Sequence, residues 1–157
     1  MKFIRHDDRG YRLDAYLAYL DQIEGRLPPS VREYALASWH YDIKHHQCPH
    51  DARLVSMSVD EIPTGKSSRT LEMRARFKGA FNDGFFDFIC RDVQSYSLSL
   101  DSITRGAISV GHEDWMIDEL LLEGSGLTSH EIEFSRTGCW KILCKDITYE
   151  WRTNISQ

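Results

Sequence analysis

Across residues 71–78 the chain alternates strictly. Leu71, Met73, Ala75 and Phe77 are apolar, while Glu72, Arg74, Arg76 and Lys78 are charged. A period of two marks a β-strand with one face buried and one in water, because successive side chains leave a strand on opposite sides. Asn82-Asp83-Gly84 follows, a hairpin signal because these residue types tolerate positive φ. The returning stretch, residues 85–93, is apolar on both faces and reads as a central strand. An antiparallel hairpin in mid-chain therefore constrains the fold more than any other stretch.

The same period recurs on either side. Val55, Met57 and Val59 alternate with Ser56, Ser58 and Asp60, and Tyr96, Leu98 and Leu100 alternate with serines. Residues 102–113 read as loop and 115–123 as strand. Beyond a turn at Gly124-Ser125-Gly126, His130, Ile132 and Phe134 alternate with Glu131, Glu133 and Ser135. After Thr137-Gly138 the last strand points Trp140, Ile142 and Cys144 inward, then changes phase to Ile147, Tyr149 and Trp151. A slip of one residue would turn the wrong face inward, so a bulge or sharp bend is expected at Lys145-Asp146.

The N-terminal third has a different rhythm. Leu13, Tyr16, Leu17, Leu20 and Ile23 are spaced as one face of a helix. Pro28-Pro29 then halts the chain, and Ser30 with Glu33 fits a capping box opening a second helix whose inner face holds Val31, Tyr34 and Ala35. That helix is expected to fray at residues 40–43. The fold class is α+β: two N-terminal helices packed on an antiparallel sheet of about six or seven strands, strongly twisted or folded into a sandwich. A single domain over 1–157 is expected, helical over 1–45 and sheet over 52–151.

Composition narrows the function classes. No apolar run approaches the roughly 18–20 residues that span a bilayer, and the N-terminus, Met-Lys-Phe-Ile-Arg-His-Asp-Asp, lacks the apolar stretch of a signal peptide. A cytoplasmic location without membrane contact is the expectation. The cysteines Cys48, Cys90, Cys139 and Cys144 show no C-x-x-C spacing and read as free thiols, with Cys90 and Cys144 in phase with core neighbours. Residues 110–157 hold four Lys/Arg against nine Asp/Glu, a difference equal to the whole net charge of −5. A nucleic-acid binder needs a clustered basic surface instead.

Two stretches concentrate groups that do chemistry. Residues 39–51 contain His40, Asp42, His45, His46, Cys48, His50 and Asp51. A metal-dependent hydrolase using His45, His46, His50 and Asp51 is one reading, although the spacing matches no paired-ligand pattern. His50-Asp51 as a general-base pair is another, and Asp51 as a local backbone cap a third. The leading expectation is no metal, no cofactor and no catalytic residue. The second stretch is acidic: Asp114, Asp118, Glu119 and Glu123, with Glu131 and Glu133 on the next strand, surround Trp115. Carboxylates around an aromatic anchor suit a recognition surface, the anchor supplying affinity and the charge steering association. An ordinary solvated face, paired with Arg74, Arg76 and Lys78, is the plainer alternative. A third function class is a small-ligand module whose concave face is lined by Phe85, Trp115, Trp140 and Trp151.

A family resemblance runs over roughly residues 30–150. It is carried by Trp39-His-Tyr-Asp42, Cys48-Pro-His50-Asp51-Ala-Arg-Leu54, Phe81-Asn-Asp-Gly-Phe-Phe86, Asp92-Val-Gln-Ser-Tyr96, Asp118-Glu119, His130-Glu-Ile-Glu-Phe134 and Lys145-Asp-Ile-Thr-Tyr149. In these pieces the chain resembles small, largely uncharacterised bacterial α+β families, some of them similar to immunity proteins of polymorphic toxin systems. The resemblance implies a cytoplasmic, non-enzymatic protein that inhibits a cognate toxin by binding it. A nuclease-type toxin is basic, so an acidic face would attract it.

Overall fold

The computed structural model describes residues 1–99, 104–105, 108–109, 111–135 and 138–154. The chain opens with a short hairpin, β1 (Arg5–Asp7) and β2 (Gly10–Arg12), which the sequence reading missed. Helix α1 (Asp14–Ile23) buries Tyr16, Leu20 and Ile23, as their spacing demands. Helix α2 (Pro29–Ala35) buries Val31, Tyr34 and Ala35.

The capping box does not form. Pro29 occupies the first turn, where a missing N–H costs nothing and the fixed φ suits a helix, so α2 starts two residues too early for Ser30 to cap it. The Ser30 hydroxyl donates instead to Asp146, and Glu33 stays exposed. After α2 the chain runs through successive turns, with backbone hydrogen bonds from His40 to Ala37, Asp42 to Trp39, His45 to Asp42, Cys48 to His45 and Ala52 to Pro49.

Ten further strands follow: β3 (Arg53–Pro63), β4 (Arg69–Lys78), β5 (Gly84–Arg91), β6 (Ser95–Ser99), β7 (Thr104–Arg105), β8 (Ile108–Ser109), β9 (Trp115–Leu122), β10 (Thr128–Phe134), β11 (Cys139–Cys144) and β12 (Asp146–Thr153). Every described pairing is antiparallel, so the α+β class holds. The single sheet of six or seven strands does not. The long strands form two four-stranded sheets, in the orders β12-β5-β4-β3 and β6-β11-β10-β9.

The phase slip at Lys145 is where the chain passes between them. Cys144 and Ile147 are both fully buried while Lys145 is exposed, so one bend keeps both strands facing the core. Backbone hydrogen bonds from Lys145 to Arg91 and from Gln94 to Leu143 tie this corner. At another corner Arg53 bridges Asp114, and Trp115 exchanges hydrogen bonds with Asp51 and Ala52.

One cluster of buried side chains runs through both four-stranded sheets and the helices. Its centre is aromatic: Phe77 lies 5.2 Å from Phe86, 5.0 Å from Trp115 and 5.7 Å from Trp140. Trp115 and Trp140 are thus core rather than the wall of a concave ligand site, and Trp151 rests against Gly79 and Gly84. All four cysteines are free, and Cys90 and Cys144 are buried as their phase implied. Among the described residues, no helix is long and apolar enough to cross a membrane.

Candidate functional site

The histidine-rich stretch disperses. Its turns point consecutive side chains in different directions, so His46 reaches Asp83 and stacks on Phe81, while His45 lies over Trp39. His50 turns inward, where its Nδ1 donates to the Met116 carbonyl at 2.8 Å, and its Nε2 sits 3.5 Å from Asp51. The proposed ligands His45, His46, His50 and Asp51 therefore do not converge. Among the described residues no group of three or more His, Cys, Asp or Glu is placed to hold a metal ion.

His40 has a different fate, and it reshapes the acidic strands. Asp118 is 1% exposed. His40 Nε2 approaches its two oxygens at 2.9 and 3.1 Å, His130 Nε2 lies 2.8 Å from Oδ2, and the Tyr34 hydroxyl donates at 3.1 Å. A carboxylate only accepts, so both imidazoles must carry their proton on Nε2. His40 is sandwiched between Tyr34 and Tyr41, with centroids 4.1 and 4.0 Å away, and His130 stacks on Phe88. One side chain thus ties α2, the turn ribbon, β9 and β10 together.

Burial alone would raise the Asp118 pKa, but the charge of the two imidazoles in acid and their hydrogen bonds outweigh it and hold the group below the usual carboxylate range. A depressed carboxylate contributes stability that is complete above its unfolded pKa and fades as pH falls toward its folded one. Thermal unfolding followed from pH 7 downward should therefore show a loss beginning near pH 4, the unfolded value for Asp being about 3.9. The Asp118→Asn variant should lose less over that interval; an identical acid limb would contradict the assignment.

Glu119 is engaged in another way. It is 0% exposed, and its carboxylate accepts the backbone N–H groups of Lys2, Phe3 and Ile4 at 2.5, 2.6 and 2.8 Å. Next to it Glu131 meets the Met1 amino group at 2.6 Å and Lys141 at 3.5 Å.

The expected recognition surface is thus largely internal. Trp115, Asp118 and Glu119 are buried, Glu131 and Glu133 are partly covered, and Asp114 pairs with Arg53 at 3.1 Å. Only Glu123 of that set is fully exposed. Apart from Arg53, the expected pairing with the other sheet's cations is not made by its arginines: Arg74 pairs with Glu72, and Arg76 bidentately with Asp87, within their own sheet. Tyr34, His40 and His130 escaped the sequence reading as a polar set. Their signal was phase: a histidine in step with Ile132 and Phe134 faces inward and needs a buried partner.

The sheet edges differ sharply. Along β9 the outward backbone groups are taken by side chains: Met116 O by His50, Asp118 O by Tyr41 at 3.0 Å, Leu120 N by the Tyr16 hydroxyl at 2.7 Å and Leu122 N by the Tyr19 hydroxyl at 2.9 Å. β3 is the opposite case. It is the terminal strand of its sheet, eleven residues long. Val55, Met57 and Ile62 are 53%, 39% and 39% exposed, and only Leu54 and Val59 are even partly covered. A register shift between Leu54 and Ser56 marks a bulge at Val55, and residues 55–59 carry no charge.

Compared with known proteins, the chain matches no family model, no curated protein and no solved structure.

Proposed function

We propose that the chain is a non-enzymatic protein-binding domain of the immunity type, which acts in the cytoplasm by pairing with a basic toxin domain along β3. The observation that supports this reading is the contrast between the two edges. The fold caps β9 with four side chains, whereas residues 55–59 of β3 carry neither charge nor proline, two devices that close a strand edge, and have only the bulge at Val55. An open edge is a template for strand addition, in which main-chain hydrogen bonds supply affinity and exposed alternate side chains supply selectivity. Asp60 and Glu61 continue the strand, and the net charge of −5 favours encounter with a basic partner. The groups most able to do chemistry, Asp118, His40 and His130, are enclosed and hydrogen-bonded to one another.

The test is co-expression with the product of the adjacent reading frame, followed by size exclusion and calorimetry. A stable complex is expected. A lysine on the edge opposes pairing, so Met57→Lys should weaken the complex by about tenfold or more, equivalent to at least ~1.4 kcal/mol. Leu17→Lys, on the exposed side of α1, should leave it unchanged. Absence of a complex, or equal loss in both variants, would remove the reading.

A further inference from the structure

At the far edge of the same sheet, across from β3, a groove of about 460 Å³ runs between α2 and β12. It stands whether or not a strand docks on β3. Its size lies within the range of pockets that enclose a ligand group. Ser30, Glu33 and Tyr34 face it from α2, Trp39 and Gln47 from the turn ribbon, and residues 148–151 from β12.

The walls are aromatic and fixed. The Trp39 and Tyr149 rings lie 4.7 Å apart, tilted by 32°, and Tyr34 stacks behind Tyr149 at 5.4 Å. The Tyr149 hydroxyl is held by its donation to the Gln47 carbonyl at 2.6 Å. Trp151 is pinned from behind, since a Cβ added at Gly79 or Gly84 would lie only 2.8 or 2.4 Å from its indole. Both turn glycines thus leave the space that this ring occupies.

The rim is acidic. Glu33, released from the capping role its spacing suggested, is exposed and makes no ion pair among the described residues. Glu150 stands on the β12 side, one oxygen accepting from Arg152 at 2.9 Å. No lysine or arginine is among the described residues that line the groove. Aromatic faces attract cations through their quadrupoles, and two carboxylates add charge of the same sense, so an anionic group would be repelled. Between cations, a guanidinium is planar, weakly hydrated and stacks on rings while hydrogen-bonding carboxylates in its plane; an ammonium is a strongly hydrated point charge.

The geometry points to a binding site for an arginine side chain of a basic protein partner, laid against the half-buried indoles of Trp39 and Trp151 and held by Glu33 and Glu150. The probe is a capped Gly-Arg-Gly peptide titrated into the full chain, read by NMR at the indole N–H signals. Saturable shifts are expected at Trp39 and Trp151 and not at the buried Trp115 and Trp140, with a Kd on the order of 1 mM for a single side chain. Glu33→Gln, a change on an exposed helix face, should weaken binding by about two- to fivefold. The same peptide carrying neutral citrulline should not bind. Equal binding of the citrulline or lysine peptide, no saturable shift at Trp39 and Trp151, or an unaltered Kd in Glu33→Gln would overturn the assignment. None of these readouts involves β3, so their failure is separable from that of strand pairing.

Discussion

Asp118→Ala is expected to lower the free energy of unfolding by about 3–5 kcal/mol, the usual cost of removing one member of a buried ionic cluster. Three donors lose their acceptor together: His40, His130 and the Tyr34 hydroxyl. None can turn to solvent, because both imidazoles are at most 1% exposed and Tyr34 is 2% exposed. Chemical denaturation by circular dichroism measures the loss, and for 157 residues a change of this size shifts Tm by roughly 2–4 °C per kcal/mol. A loss below about 1 kcal/mol would mean that the cluster is not the tie described. His130→Ala in the Asp118→Ala background should then cost less than His130→Ala alone, since the two residues act as one unit.

The second large effect is at Glu119. Its removal leaves the backbone N–H groups of Lys2, Phe3 and Ile4 without their acceptor, and a buried donor left unpaired costs about 1–3 kcal/mol. Detachment of residues 1–4 relieves that cost but uncovers the site where Ile4, 5% exposed, packs. Either outcome should destabilise Glu119→Ala by about 3 kcal/mol. Hydrogen exchange discriminates them, detachment predicting rapid exchange at residues 2–4 with little change in β4 and β5. Glu119→Gln, which keeps one acceptor oxygen, should retain part of the protection.

What the sequence made legible follows from the range of the interactions involved. Alternation at Leu71–Phe77 and the turn at Asn82 depend on neighbours in the chain, and both appear where expected, Asn82 with a φ of 60°. The slip at Lys145 was visible because two inward phases cannot coexist on one straight strand. Whether it marked a bulge within one sheet or a crossing between two depended on which strands pair, which is a long-range matter. The acidic strands misled for a related reason. A carboxylate is costly to bury without partners, so Asp118 and Glu119 read as surface groups. Their partners lie 78 residues away for His40 and 116 for Phe3. Locally, Ser30 and Glu33 satisfied the spacing of a capping box, and Pro29 displaced it by starting the helix early.

The hydroxyls along β9 also set valency. A molecule that offers complementary strand edges to its own copies propagates into open filaments. Here the positions that a further strand would occupy on β9 are filled by Tyr16, Tyr19, Tyr41 and His50. Copies cannot be strung head to tail through β3 and β9. A strand received at β3 is therefore not passed on through β9.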